Sequence, residues 1–174
     1  MRKVVRYIII VFMVFTTGYL VVGITKNYRN NKEAEKRIQT LPETTFISMT
    51  GDSVCLYDFN PEKPMVIIYF HPECDHCHYE AREIGQNADV FNHCQLVMIT
   101  FDDSLKRLKN FCNKYHLWEV NNFEILLDSD NHFQKIFGKP MIPSVYIYNV
   151  NRRLKKKYQG ETKPEAIINE IRYK

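Results

Sequence analysis

Tyr7–Thr25 is an uninterrupted run of nineteen residues without a charge, preceded by Arg2, Lys3 and Arg6 and stopped by Lys26 and Arg29. As a helix it would span about 28 Å, close to the ~30 Å hydrocarbon core of a bilayer. It exceeds the ~7–15 apolar residues of a cleaved signal peptide, and Val21-Val22-Gly23 is a poor cleavage site. The pattern therefore predicts an uncleaved anchor over residues 1–25. Residues 26–40 are polar and form a stalk, and Leu41-Pro42 opens a domain spanning 41–174.

Within that domain, short β-prone runs at Thr45–Met49 and Ser53–Tyr57 flank Gly51-Asp52 and predict a hairpin. Met65–Phe70 and Gln95–Phe101 are continuous apolar runs, the pattern of strands buried on both faces. Helices are predicted from Cys74 to Phe91 and from the capping residues Asp102-Asp103-Ser104 to about His116. Phe123–Leu127 is a short extended segment, and Asp130 can cap a helix ending at Gly138. Ser144–Asn149 and Arg153–Tyr158 are strands joined by a turn. Thr162-Lys163-Pro164-Glu165 has the form of a capping box with an early proline and starts the last helix. Buried strands alternating with helices, then an antiparallel finish, predict an α/β sandwich with a mixed sheet.

Composition changes this picture little. The 174 residues are 45% hydrophobic and 25% charged, a composition that folds. The net charge of +4 is unevenly spread. Residues 1–40 carry eight Lys/Arg and two Glu, so residues 41–174 are slightly acidic and have no electrostatic footprint for nucleic acid. Positive charges divide almost evenly between the two sides of the apolar run, so charge counting does not orient it. Five cysteines are too few for a disulfide scaffold.

The candidate chemistry lies in Phe70-His71-Pro72-Glu73-Cys74-Asp75-His76-Cys77-His78. A buried strand would deliver Cys74 and Cys77 to its carboxyl end, and the following helix would place N–H groups and a partial positive charge there. Both favour a thiolate, the nucleophile of disulfide exchange. With one-turn spacing, Cys74 would attack a substrate disulfide and Cys77 would release it. Two other readings stay open. C-x-x-C-H is also the pattern of c-type haem attachment. The cysteines with His71, His76 and His78 also form a set that zinc or copper could use. His76, if protonated, would make the disulfide more oxidising, whereas Glu73 and Asp75 oppose it. His71 and His78 are taken as surface histidines. Downstream, Ile142-Pro143 stands at the mouth of the SVYIYN strand, a place where a sheet tolerates proline.

Together these motifs resemble the thioredoxin fold, and more closely the membrane-anchored TlpA/ResA-like thiol-disulfide oxidoreductases of bacteria. The resemblance covers about residues 41–174. It rests on the anchor, the hairpin at Gly51-Asp52, the Leu56–Phe59 phrase, KPMVIIYF leading into Cys74–Cys77, Glu80, Leu127–Asp130, Ile142-Pro143 and Gly160. It implies a thioredoxin-like domain with an N-terminal hairpin extension, and a Cys74–Cys77 pair cycling between dithiol and disulfide with no other cofactor and no metal. It implies a cis Pro143 against the cysteines, the Ile142 backbone pairing with substrate, and Glu80 moving a proton for Cys77. Protein thiols or disulfides would be the substrates and a membrane protein the redox partner. The location would be the bacterial inner membrane, with the domain in the periplasm. The chain departs from that family at Glu73, where tryptophan is usual, and at Asp75-His76, where a proline is usual; His before the second cysteine is closer to oxidising or isomerising relatives. The alternative is a metal- or haem-carrying module on the same fold. A peroxide-reducing site would need a threonine that this stretch lacks. Cys55, Cys94 and Cys112 are expected as small buried side chains, with one further disulfide permitted. The basic run Arg152–Lys157 is expected as a solvated edge.

Overall fold

A computed structural model describes residues 2–172. The first helix, α1 (Arg2–Arg37), contains the apolar run and continues through the polar stretch as one rod. It is long and apolar enough to cross a membrane. Its end is part of the folded domain: Ala34 and Ile38 are buried. The Tyr148 hydroxyl donates to the Ile38 carbonyl at 3.0 Å. The following residues exchange backbone hydrogen bonds with the turn at Arg152, Leu41 N to Arg152 O and Leu154 N to Gln39 O.

One seven-stranded mixed sheet organises the rest. Its strands are β1 (Thr45–Ser48), β2 (Ser53–Cys55), β3 (Met65–Tyr69), β4 (Gln95–Thr100), β5 (Phe123–Leu127), β6 (Ser144–Tyr148) and β7 (Leu154–Gln159), in the spatial order β2-β1-β5-β4-β3-β6-β7. β3, β4 and β5 are parallel; β6 runs antiparallel to β3 with Tyr69 opposite Ser144. The hairpin of β1 and β2 extends the sheet by pairing β1 antiparallel to β5. Every residue of β3, β4 and β6 is buried, as their unbroken apolar runs require.

Alternation along the strands divides the core in two. Val66, Ile68 and Phe70 face α2 (Asp75–Gln86), α4 (Leu105–Lys114) and α6 (Pro164–Arg172). Met65, Ile67 and Tyr69 face the end of α1 and α5 (His132–Phe137), where Phe133 stacks on Tyr69 with ring centres 4.2 Å apart. Each large side chain so buried contributes about 1.5–3 kcal/mol relative to exposure.

The larger departures from the sequence pattern each have a local reason. The single helix expected from Cys74 to Phe91 is broken at Asn87, whose side-chain amide donates to the Glu83 carbonyl at 2.8 Å; α3 (Ala88–Phe91) starts afresh. The second expected strand of the hairpin ends at Cys55 in a 3-10 turn, Leu56–Asp58. α4 stops at Lys114 because His116 takes a left-handed conformation, φ 56°. The cap of α5 is Asp128 rather than Asp130. Asn131 stands at the N-cap with φ 50°, and the Asp128 carboxylate accepts from Phe133 N at 3.0 Å. The capping box before α6 does not form. Thr162 N donates to Glu80 of α2 at 3.0 Å, and the Thr162 hydroxyl turns to Gly160 O.

Candidate redox site

β3 carries the chain to the edge of the core, and Phe70, still buried, turns it into the segment His71–Cys74. Cys74 is the N-cap of α2, with φ −88° and ψ 122°, and is half-buried. Its N–H donates to His71 O at 3.1 Å, and its carbonyl accepts from His78 N at 3.0 Å. Cys77, one turn into the helix, is 1% exposed. Burial pushes its thiol well above the ordinary range; a backbone hydrogen bond from His71 works against this, and the neighbouring Cys74 and Glu80 reinforce it. The pair is thus asymmetric, with an outer sulfur at a helix N-terminus and an inner one held as a thiol. All five cysteines are unbridged.

Glu80 follows Cys77 by three residues on the same helix face and is 2% exposed. One oxygen accepts from Thr162 N, and the other is buried without a hydrogen-bond partner. Burial raises its pKa to about 8, against the lowering effect of the Thr162 hydrogen bonds. The Ile142–Pro143 peptide is cis. The register of β6 against β3 places Pro143 beside Phe70, at the start of the cysteine segment. Ile142 is half-buried and touches both halves of the core.

His76 is exposed, and its Nδ1 lies 2.6 Å from the Glu161 carboxylate. The loop 160–162 is therefore tied to α2 twice, by Glu161 to His76 and by Thr162 to Glu80. On the other side, Arg107 of α4 bridges Glu73 (2.7 Å) and the buried Asp102 (2.7 Å). Asp102 Oδ2 lacks a well-angled hydrogen bond, but its short distance to a guanidinium makes it an ion pair all the same. None of Glu161, Thr162, Arg107 and Asp102 was singled out for the site from sequence. They lie 28 to 88 positions from Cys74, and no local motif links them to it.

The two histidines expected on the surface are instead half-buried. His71 accepts from Glu73 N at 3.2 Å and packs on Phe101. His78 lies 2.9 Å from the Tyr115 hydroxyl, and its pKa is lowered by burial. Among the described residues no three His, Cys, Asp or Glu side chains gather as a metal site would need. Cys94 and Cys112 are buried, with thiols pushed up to about 12, whereas Cys55 is half-buried. The run Arg152–Lys157 is only partly a solvated edge. Arg152 is buried and donates to Phe59 O, and Lys155 pairs with Glu170.

The sequence profile of the AhpC/TSA family matches residues 38–157. No curated protein sequence matches the chain. Among solved structures, a secreted disulfide oxidoreductase of Mycobacterium tuberculosis homologous to E. coli DsbE is 20% identical. It covers 78% of this chain and 96% of its own, with a TM-score of 0.64. StoA from Bacillus subtilis is 17% identical over 74% of this chain and 98% of its own, with a TM-score of 0.57. The peroxidoxin BcpB from M. tuberculosis is 15% identical over 76% of this chain and 94% of its own, with a TM-score of 0.63. The sheet order, the flanking helices and these likenesses make the domain a thioredoxin fold.

Proposed function

The chain belongs to the AhpC/TSA family, and from that we propose that it is a thiol-disulfide oxidoreductase working on protein cysteines, a reductase of the bacterial cell envelope held at the inner membrane by α1. The observation that carries this reading is the asymmetric pair itself: Cys74 at the N-cap of α2, Cys77 buried one turn on beside Glu80.

In the reducing direction, the Cys74 thiolate attacks one sulfur of the substrate disulfide. The other substrate sulfur leaves and takes up a proton. Cys77 gives its proton to the Glu80 carboxylate and attacks Cys74 in the mixed disulfide. The second substrate sulfur leaves and takes up a proton to become a thiol, and Cys74 and Cys77 are joined. Two electrons have passed from the pair to the substrate, and a membrane redox partner returns them. The Ile142 backbone beside the cis-proline aligns the substrate strand. A protonated His76 would meet the Glu161 carboxylate 2.6 Å away and so adjust the potential less than an unpaired histidine would. No cofactor beyond the pair is needed.

Cys74→Ser is expected to abolish disulfide exchange, and Cys77→Ser to accumulate mixed disulfides with client proteins in cells. Failure to trap any client would overturn the reading. The midpoint potential fixes the direction: a value near ~−270 mV marks a reductase, and ~−120 to −180 mV an oxidant or isomerase. A peroxide-reducing role draws support from the AhpC/TSA family and from the similarity to a peroxidoxin. His71 stands three residues before Cys74, and the threonine that such a site would use is absent. Steady consumption of peroxide by the purified chain would favour that role.

A further inference from the structure

The loop between β7 and α6 touches both halves of the candidate site. Gly160, at φ 83°, turns the chain out of the sheet, and its N–H donates to the carbonyl of the cis-proline Pro143 at 2.8 Å. A Cβ on Gly160 would stand 3.7 Å from the Met141 sulfur, so the loop begins against the cis-proline turn. Two residues on, Thr162 is 6% exposed, and its N–H donates to Glu80 at 3.0 Å. Between the two, Glu161 reaches His76 at 2.6 Å. The loop therefore bridges the cis-proline and the cysteine helix, with an inner tie to Glu80 and an outer tie to His76.

The two ties answer to different conditions. The inner one is an N–H donating to a carboxylate, a charge-assisted bond while Glu80 is ionised. The other Glu80 oxygen is buried without a hydrogen-bond partner and is free to take a proton. Once it takes that of Cys77, Glu80 is neutral, and the inner tie loses the charge that strengthened it. The outer tie does not depend on Glu80. A carboxylate can only accept, so His76 Nδ1 carries a proton, and a neutral imidazole protonated there donates as an imidazolium does. The His76 and Glu161 side chains are 64% and 45% exposed, so the pair is a modest one. It can bias a short loop without holding up the fold.

Closure of the loop matters because the surroundings of Glu80 set its charge. On its own helix Cys77 stands one turn before it and feels its charge. From the loop come the Thr162 hydrogen bonds and the Glu161 carboxylate. From α6, Glu165 faces the neighbouring Tyr79, as Glu83 and Glu161 do. Burial raises the Glu80 pKa most, the Thr162 hydrogen bonds lower it, and the Glu161 charge raises it. An opened loop would admit water and remove the first and largest of these effects.

We propose that the Glu161–His76 pair is a latch that keeps the 160–162 loop closed over Glu80, which makes Glu161 a positioning residue for the transfer of the Cys77 proton. His76 then acts through the loop more than through the potential of the cysteine pair. The latch stands on the loop geometry; its use in disulfide exchange rests on the redox reading above.

The test uses the full chain in detergent micelles, with Cys55→Ser removing the one cysteine besides Cys74 that is not buried. Mixed with an excess of an aromatic disulfide, Cys74 releases one coloured thiol, and Cys77 releases a second on closing the pair. In the parent the rate of the second release should rise with pH through about 8. Glu161→Ala and His76→Ala should each move that step down by roughly half a pH unit and speed amide exchange at Thr162 about two- to fivefold, the range an exposed ion pair supports. His76→Gln, which restores a donor, should recover most of both. If Glu161 acts on Glu80 by charge alone, Glu161→Ala still lowers the step. His76→Ala then leaves the step in place or raises it, and Thr162 exchange is unchanged; that result overturns the latch. So does a His76→Ala variant whose midpoint potential shifts while the step stays where it is. Faster Thr162 exchange in both variants of a chain that releases no thiol supports the latch and overturns the redox reading.

Discussion

At the scale of the residue, the site is governed by burial more than by residue type. Glu80 would be an ordinary carboxylate on an open helix. Beneath the 160–162 loop it becomes a group that changes charge at about pH 8. Its folded pKa is raised above its unfolded value, so the folded state binds the proton more tightly. The associated stability is complete below about pH 4.5 and is lost as pH rises through about 8. Glu80→Gln keeps an oxygen for Thr162 N and cannot ionise. Urea midpoints of the variant should lack the decline between those pH values, and the variant should be the more stable above pH 8 by a few kcal/mol at most. If Glu80 takes the Cys77 proton, the rate of mixed-disulfide release should rise with pH through about 8 in the parent. In Glu80→Gln it should be slower and lack that step. An unchanged profile would leave Glu80 a purely structural residue.

At the scale of the element, contacts between helices decided what periodicity could not. Gly85 has an ordinary helical place in α2, but a Cβ there would meet the Tyr115 carbonyl oxygen at 1.9 Å. The missing side chain lets α2 lie against the end of α4, where Tyr115 also reaches His78. Gly85→Ala must push the two apart and should cost about 1–3 kcal/mol, measurable as a lower urea midpoint. The change should also free His78 from Tyr115. The capping signals fared unevenly for the same reason. Thr162-x-x-Glu165 has the right residues at the right spacing, yet the Thr162 N–H was claimed by a carboxylate 82 positions away. Asp128 displaced Asp130 because Asn131 turns left-handed and swings Phe133 N toward it.

At the scale of the whole molecule, the polar stretch after the apolar run is a helix that ends inside the domain's second core. Ala34, Ile38 and Leu41 are each no more than 2% exposed, and two backbone hydrogen bonds tie this segment to the Arg152 turn. Removing residues 1–30 should leave the domain's stability unchanged. Removing residues 1–41 should lower it by about 3–5 kcal/mol, chiefly through Ile38 and Leu41. Equal urea midpoints for the two truncations would mean that the docking contributes nothing.

The sequence by itself determined the order of the elements and which residues stand together at the start of α2. Both are written in short-range pattern: unbroken apolar runs for strands buried on both faces, two cysteines one turn apart at a strand-to-helix junction, and a proline at a strand mouth. What only the tertiary structure decided depends on groups far apart in the chain. The Glu80 carboxylate is raised because a loop from the other end of the domain covers it. His76 meets Glu161 across 85 positions, and Arg107 reaches Glu73 across 34. The end of the first helix docks on the domain where Gly138 leaves room for Ala34. Desolvation, ion pairing and helix docking are set by distance in space, and a linear pattern carries no measure of that distance.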